Sequence, residues 1–197
     1  MRRKTLRALL GLTVILLMLA ITQSVQGESA EEDPEKIFTF SLIGDCTVGE
    51  QVQHQGYKNG YTARIREAGM DYPFSLVADL FANDDLTVAN CEGSFSNYKK
   101  TNKELMALIA PPEFAEVFKL GNVDVCNLAN NHAKDFGSRG QSDTAENLQN
   151  LGIGVFYDEV TYSVTVKGVK IGFVGYTYPM SEQKLKRYVA GMERLRA

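Results

Sequence analysis

From residue 37 onward, short apolar runs alternate with longer segments whose apolar residues recur at helical spacing. Runs rich in β-branched, aromatic or small apolar residues predict strands at 37–43, 86–90 and 123–129. Two proline-led segments between them, 73–82 and 110–122, predict helices. Strands that alternate with helices indicate an α/β fold, in which a layered, largely parallel sheet is flanked by helices.

The apolar stripe expected for the first of these helices comprises Phe74, Leu76, Val77, Leu80 and Phe81. Residues 138–151 predict a further helix, which Ser138 can cap. Strands are then predicted at 153–157, 161–166 and 169–176. The last two are joined by Lys167-Gly168 and predict a β-hairpin.

Residues 180–197 predict a terminal helix with an apolar stripe at Leu185, Tyr188, Val189, Met192 and Leu195. No glycine or proline stop follows the stripe, and no strand receives the helix. We therefore expect a truncated chain, made of an α/β domain over 37–179 and an unfinished helix over 180–197.

The first 27 residues form a separate pattern, in which four basic residues precede an uncharged apolar stretch that ends in small and polar residues. This layout predicts a secretory signal peptide, but the stretch is also long enough to serve as an uncleaved membrane anchor. Both interpretations predict an extracytoplasmic protein, either secreted or anchored to the outer face of the cytoplasmic membrane. Residues 28–36 are acidic and polar, which predicts a solvated linker.

Removal of residues 1–27 leaves 17 of the 21 basic residues against all 24 acidic ones, a net charge of −7. This acidic balance argues against a nucleic-acid partner, because phosphate binding depends on clustered basic residues. No glycine-rich phosphate loop follows a predicted strand, which disfavours a nucleotide-binding domain.

Cysteine and histidine are scarce in this chain. Cys46, Cys91 and Cys126 show no Cys-x-x-Cys spacing, so we expect small buried residues at strand ends. His54 lies in a polar run and is expected on the surface. The other histidine, His132, directly follows two asparagines where an apolar run stops.

Polar groups close three of the predicted strands. Gly44-Asp45, Asn90-Cys91-Glu92 and Asn130-Asn131-His132 each follow an apolar run. Because the carboxyl ends of parallel strands share one edge of a sheet, we expect these groups to be neighbours in space. Carboxylate and amide oxygens with an imidazole suit a divalent cation such as Mn, Mg, Fe or Zn. Taken singly, the same residues are explained as helix caps or turn formers.

The groups Gly44-Asp45, Asn90-Cys91-Glu92 and above all LANNHAKDFG at 128–137 resemble the CapA-type capsule synthesis family, which is associated with poly-γ-glutamate biosynthesis. That family is similar in fold to the calcineurin-like metallophosphoesterases. The resemblance implies an α/β, metallophosphoesterase-like sheet and as many as two divalent ions.

The resemblance also implies residue roles. Asp45, Glu92 and Asn131 would be metal ligands, with Glu92 a candidate bridge between two ions. His132 would be the general acid, while Asn90, Asn130, Asp135 and Gly137 would support the site. Thr47 stands where metallophosphoesterases have a histidine, and no histidine follows His132.

Two functions remain open at this point. The chain is either a non-catalytic component that works with the capsule or polyglutamate synthesis machinery, or a metal-dependent hydrolase of a phosphoester, acyl or amide bond. The missing histidines favour the first for this chain. If the N-terminal segment is uncleaved, the membrane is a further partner.

Overall fold

The computed structural model describes residues 36–99, 106–178 and 181–196. The chain divides into an N-terminal segment, Met1–Ile37, and a folded unit, Phe38–Ala197. The predicted signal or anchor and the predicted linker lie outside the described residues, apart from Lys36. Within the described ranges, no helix has both the length and the apolar character needed to cross a membrane.

The centre of the folded unit is a four-stranded sheet in which every neighbouring pair is parallel, in the order β1-β3-β6-β7. Its strands are β1 (Phe40–Thr47), β3 (Leu86–Glu92), β6 (Val125–Asn127) and β7 (Gly154–Phe156). The predicted α/β class with a largely parallel sheet is therefore confirmed. The first strand continues past its predicted end, because a register shift between Ile43 and Asp45 lets it pair as far as Thr47.

The described residues also form α-helices and short 3₁₀ turns. The α-helices are α1 (Tyr61–Ala68), α2 (Ala78–Ala82), α3 (Glu116–Leu120), α4 (Gly137–Asn150) and α5 (Glu182–Arg196). Single 3₁₀ turns occur at Val52–His54, Tyr72–Phe74 and Pro112–Ala115. The main core lies on one face of the sheet, where Phe118 of α3 contacts the rings of Phe74 and Phe95. Cys91 and Cys126 are buried in the same core, Cys46 is half-buried, and all three thiols are free.

The predicted helix over 73–82 is wrong in its extent and in its stripe. The segment forms a 3₁₀ turn and the short helix α2, separated by residues 75–77. Phe74 and Phe81 are buried, whereas Leu76 is 97% exposed and Leu80 is 65% exposed. The break changes the rotation of the second piece relative to the first, so one continuous helical stripe does not form.

Two further sheets complete the fold. A small sheet has the order β2-β5-β4, with strands β2 (Glu50–Gln51), β4 (Ser94–Phe95) and β5 (Leu108–Ala110), and the sequence did not predict it. The hairpin of β8 (Tyr162–Val166) and β9 (Val169–Phe173) turns at Lys167 and Gly168, both with positive φ, as predicted. It packs against Leu86, Val125 and Phe156 on the sheet face opposite the main core.

The last helix, α5, contacts the rest of the folded unit through part of its predicted stripe. Tyr188 is buried, and the side chain of Leu195 lies against Gly172 of β9. The other predicted apolar positions, Leu185, Val189 and Met192, are exposed. The helix therefore has one packed apolar face and one that faces solvent.

Candidate functional site

A row of polar side chains crosses three strands near their carboxyl ends. Asp45 of β1 pairs in register with Asn90 of β3, which in turn pairs with Asn127 of β6. Residues two apart on a strand point to the same face, so this row shares its face with Leu86 and Val125, beneath the hairpin. On this face, the polar row therefore lies between the apolar contact with the hairpin and the carboxyl edge of the sheet.

Hydrogen bonds connect the row and fix its amide orientations. Asn90 Nδ2 donates to Asp45 Oδ1 at 2.7 Å. Asn90 Oδ1 accepts from Asn127 Nδ2 at 3.1 Å and from Asn130 Nδ2 at 3.2 Å. Asn130 Nδ2 also donates to the Cys91 carbonyl at 2.8 Å. Asn90 therefore links the aspartate of β1 to the loop that follows β6.

The loop after β6 holds His132 from two directions. Asn130 Oδ1 accepts the His132 backbone N–H at 3.0 Å, which is an Asx turn. The ring Nδ1 lies 2.8 Å from Asp135 Oδ2, and that same oxygen accepts the Leu108 backbone N–H at 2.8 Å. Asp135 is only 2% exposed, so the carboxylate is held firmly by strand β5. This contact fixes the orientation of the ring and directs Nε2 away from Asp135.

The two carboxylates of the expected metal site lie on neighbouring strands. Thr47 pairs in register with Glu92, and its hydroxyl donates to Glu92 Oε2 at 3.3 Å. Burial, and after it the neighbouring Cys91, Asp45 and Glu92, raise the pKa of the Cys46 thiol to about 11. Both carboxylates contribute to this rise, so they lie near the thiol, and the register places them on the face of the polar row.

These residues do not fit a two-ion centre. Among the described residues, no group of three or more His, Cys, Asp or Glu is arranged to hold a metal ion. Asn90 Oδ1 accepts two hydrogen bonds from other asparagines, which uses both of its lone pairs and takes it out of the ligand set. Asp45 and Glu92 are the carboxylates that remain at this edge, and two such groups underfill two coordination spheres.

The remaining predicted site residues lie in the same loop. Asn131 is exposed beside His132, and Gly137 is the first residue of α4. Gly137 has a φ of 67°, a left-handed conformation that glycine adopts without strain. The predicted Ser138 cap is wrong, because the helix begins one residue earlier, Phe136 occupies the N-cap position, and no side chain caps it.

Sequence reasoning missed Asn127, whose amide joins Asn90 to the chain that follows β6. Its Nδ2 donates to Asn90, and its Oδ1 accepts the Ala129 backbone N–H at 2.9 Å. The available signal was a polar side chain inside the apolar run 123–129. A Cβ on Gly175 would lie 2.7 Å from Asn127 Oδ1, so the chain after β9 closes tightly over this amide.

A cavity of about 490 Å³ adjoins the loop on the side of α5. Asn130 and Asn131 line it, together with groups from α4, α5 and the turn after β7. Sequence reasoning also missed this cavity, because its lining residues come from segments far apart in the chain.

The parallel sheet with helices packed against it defines an α/β protein of the metallophosphoesterase-like class. Residues 39–195 match the family described as bacterial capsule synthesis protein PGA_cap, and the chain belongs to that family. The CapA-type resemblance in the sequence is therefore confirmed.

Two relatives carry capsule names. The chain is 29% identical over 151 residues to the capsule biosynthesis protein CapA of Bacillus anthracis, covering 71% of this chain and 34% of that protein. It is 28% identical over 177 residues to the PGA biosynthesis protein CapA of Bacillus subtilis (strain 168), covering 83% of this chain and 44% of that protein. The chain thus spans less than half the length of either relative.

Proposed function

We propose that this chain acts outside the cytoplasm in the biosynthesis or export of a capsule polymer, of the poly-γ-glutamate type. The carboxyl edge that holds Asp45, Asn90 and His132 is its working site. The observation that carries the proposal is the pairing of His132 Nδ1 with the buried Asp135 carboxylate. This contact orients the ring so that Nε2 can form a hydrogen bond with a bound group.

The proposed location rests on the N-terminal sequence, in which a basic start precedes an uncharged apolar stretch and an acidic linker. Fractionation of cells that produce the full chain tests it. We expect recovery in the membrane or secreted fraction, and recovery mainly in the cytosol would contradict the location.

We also propose that the edge binds a single divalent cation weakly. Asp45 and Glu92 would supply carboxylate oxygens and Asn131 an amide oxygen, a hard donor set that suits Mg or Mn. Equilibrium dialysis of the full chain with Mn measures this binding. Weak binding that Asp45→Asn removes supports the ligand assignment, whereas binding that survives both Asp45→Asn and Glu92→Gln refutes it.

The capsule role is tested in the bacterium that encodes the chain. Deletion of the gene should lower the capsule polymer on the cells, and the wild-type chain should restore it. We expect His132→Gln to fail at wild-type protein levels, because glutamine lacks the imidazole ring that Asp135 orients at this edge. His54→Gln is the matched control, since His54 is exposed in a 3₁₀ turn, where its ring contacts Gln53 and Tyr57.

Two outcomes would contradict the proposal separately. An unchanged polymer content after gene deletion would exclude the capsule role. Full restoration by His132→Gln would keep that role but remove the carboxyl edge as its working site.

The second candidate function is a metal-dependent hydrolase of a phosphoester, acyl or amide bond. The observation that favours it is again the His132–Asp135 pair, because a histidine oriented by a carboxylate is a common general acid or base. The described residues supply too few metal ligands for a two-ion centre. This candidate therefore has less support than a non-catalytic role in polymer assembly or export.

A further inference from the structure

The cavity beside α5, here called the α5 cavity, lies next to the proposed working site. It is bounded by the loop after β6, the turn after β7 and helix α5. Its volume of about 490 Å³ is in the range of pockets that hold small ligands. Asn130 lines it and also contributes to the hydrogen-bond network that holds His132, so a ligand in the cavity would lie beside that edge.

Charged groups of both signs line the α5 cavity in pairs. Lys134 Nζ lies 2.7 Å from Asp158 Oδ2, and Arg187 of α5 forms an ion pair with Glu159. A ligand with negative groups alone would meet Asp158 and Glu159 as well as the two cations. A ligand with both carboxylates and N–H donors can replace both halves of each pair.

Gln141 is the strongest sign that the cavity is built for a ligand. It projects from α4, lines the cavity and is 6% exposed. Its Nε2 has no hydrogen-bond partner within the part of the chain that the structure describes. A buried donor without an acceptor destabilises a fold, and a carbonyl or carboxylate oxygen from a ligand would satisfy it.

We propose that the α5 cavity binds a short amide-linked chain that carries carboxylates. Gln141 Nε2 donates to an oxygen of this chain, Lys134 and Arg187 contact its carboxylates, and Asp158 and Glu159 accept its backbone N–H groups. The inference deepens the proposed function and rests on it, because it assigns the segment of polymer nearest His132 to a defined cavity. Gln141 is then a residue that determines specificity for amide-linked acids.

Isothermal titration calorimetry of the full chain with triglutamate tests the proposal. Gln141→Leu removes the donor at similar volume and should weaken binding by about ten-fold or more, the effect of one hydrogen bond to a charged acceptor. Its melting temperature should not fall, because the substitution removes an unsatisfied buried group. Gln149→Leu, at an exposed position of the same helix, should bind as the wild type does.

Probes of different chemistry define the ligand class. Trialanine keeps the amides but lacks side-chain carboxylates, and inorganic phosphate keeps negative charge but lacks amides, so both should bind much more weakly than triglutamate. Equal binding by either probe would overturn the ligand class. Absence of triglutamate binding, or equal affinities of Gln141→Leu and Gln149→Leu, would overturn the site.

The triglutamate experiment and the capsule experiment can fail independently of each other. Triglutamate binding that depends on Gln141, in a chain whose deletion leaves the capsule unchanged, would support the cavity and remove its capsule role. Loss of capsule on deletion without any triglutamate binding would do the reverse.

Discussion

At the scale of single residues, three asparagines organise the carboxyl edge. Each amide supplies a donor and an acceptor, so Asn90, Asn127 and Asn130 together join three strand ends and one loop. A carboxylate lacks the donor, and a lysine lacks the acceptor. This explains why amides, and not more charges, stand between Asp45 and His132.

Asp135 should matter for stability as well as for His132. In Asp135→Ala the Leu108 backbone N–H and the His132 ring both lose a buried acceptor. We expect the free energy of unfolding to fall by about 2–4 kcal/mol, since each unsatisfied donor costs roughly 1–3 kcal/mol and the ring can partly turn to solvent. Urea unfolding of the full chain at neutral pH measures this loss.

Glu146→Ala is the control for Asp135→Ala, because Glu146 is exposed on α4. It should change the free energy of unfolding by less than about 0.5 kcal/mol. A loss of similar size in both variants would contradict a special role for Asp135.

At the scale of elements, the hairpin β8–β9 is fitted to the sheet at a glycine. A Cβ on Gly154 of β7 would lie 2.2 Å from Cε1 of the Tyr162 ring, which no side chain can accept without movement. Gly154→Ala should therefore lower the free energy of unfolding by roughly 1–3 kcal/mol, the usual cost of overpacking. Thermal or urea unfolding checks it.

Gly44→Ala provides the comparison for this glycine. It adds the same methyl group to β1, where no heavy atom lies within 4 Å of the added Cβ. It should leave the free energy of unfolding nearly unchanged. If Gly154→Ala were as mild, the hairpin would not be closely packed on β7.

Asp85 joins three elements at the opposite end of the sheet. Its Oδ2 accepts the Thr39 backbone N–H at 2.8 Å and lies 2.7 Å from Lys167 Nζ at the hairpin turn. These bonds, with Lys167 first, lower the pKa of the Asp85 carboxyl below its ordinary value of 3.8. The ionised form is favoured on folding, so its stabilisation is present above pH 3.8 and is lost as the pH falls through the lowered pKa.

Wild type should therefore be more stable than Asp85→Asn near neutral pH, and the difference should shrink as the pH falls below 3.8. Urea unfolding across acidic pH measures the difference. Asp79→Asn, on the exposed surface of α2, is the reference substitution. A wild-type advantage over Asp85→Asn that stays constant with pH would refute the ionic contribution.

At the scale of the whole molecule, we expect little or no hydrolase activity from this chain by itself. The described residues provide two carboxylates at the edge, and a two-ion centre needs several ligands for each ion together with open positions for water and substrate. Assay of the purified full chain with Mn and a model phosphoester measures the rate. Robust turnover that His132→Ala abolishes, while His54→Ala does not, would restore the hydrolase interpretation.

Some features followed from local pattern. Alternation of short apolar runs with helical segments predicted the parallel sheet, and the polar groups after those runs pointed to its carboxyl edge. The prediction failed where elements are very short. Ser94–Phe95 and Leu108–Ala110 form strands only because they meet each other and Glu50–Gln51, and no periodicity can be read from two or three residues.

The sequence by itself determined the α/β class, the hairpin at Lys167-Gly168, the family and the order of the polar groups along the chain, because each depends on neighbouring residues. Only the tertiary structure decided that Asp135 holds the ring of His132, which way the amide of Asn90 points, and that α5 closes a cavity beside them. Asp135 is fixed by the Leu108 backbone N–H, 27 residues away, and Asn90 bonds to Asp45, 45 residues away. The pair between Arg187 of α5 and Glu159 at the cavity joins residues 28 apart. Which distant segments come into contact is set by the packing of the whole fold, and local periodicity contains no information about it.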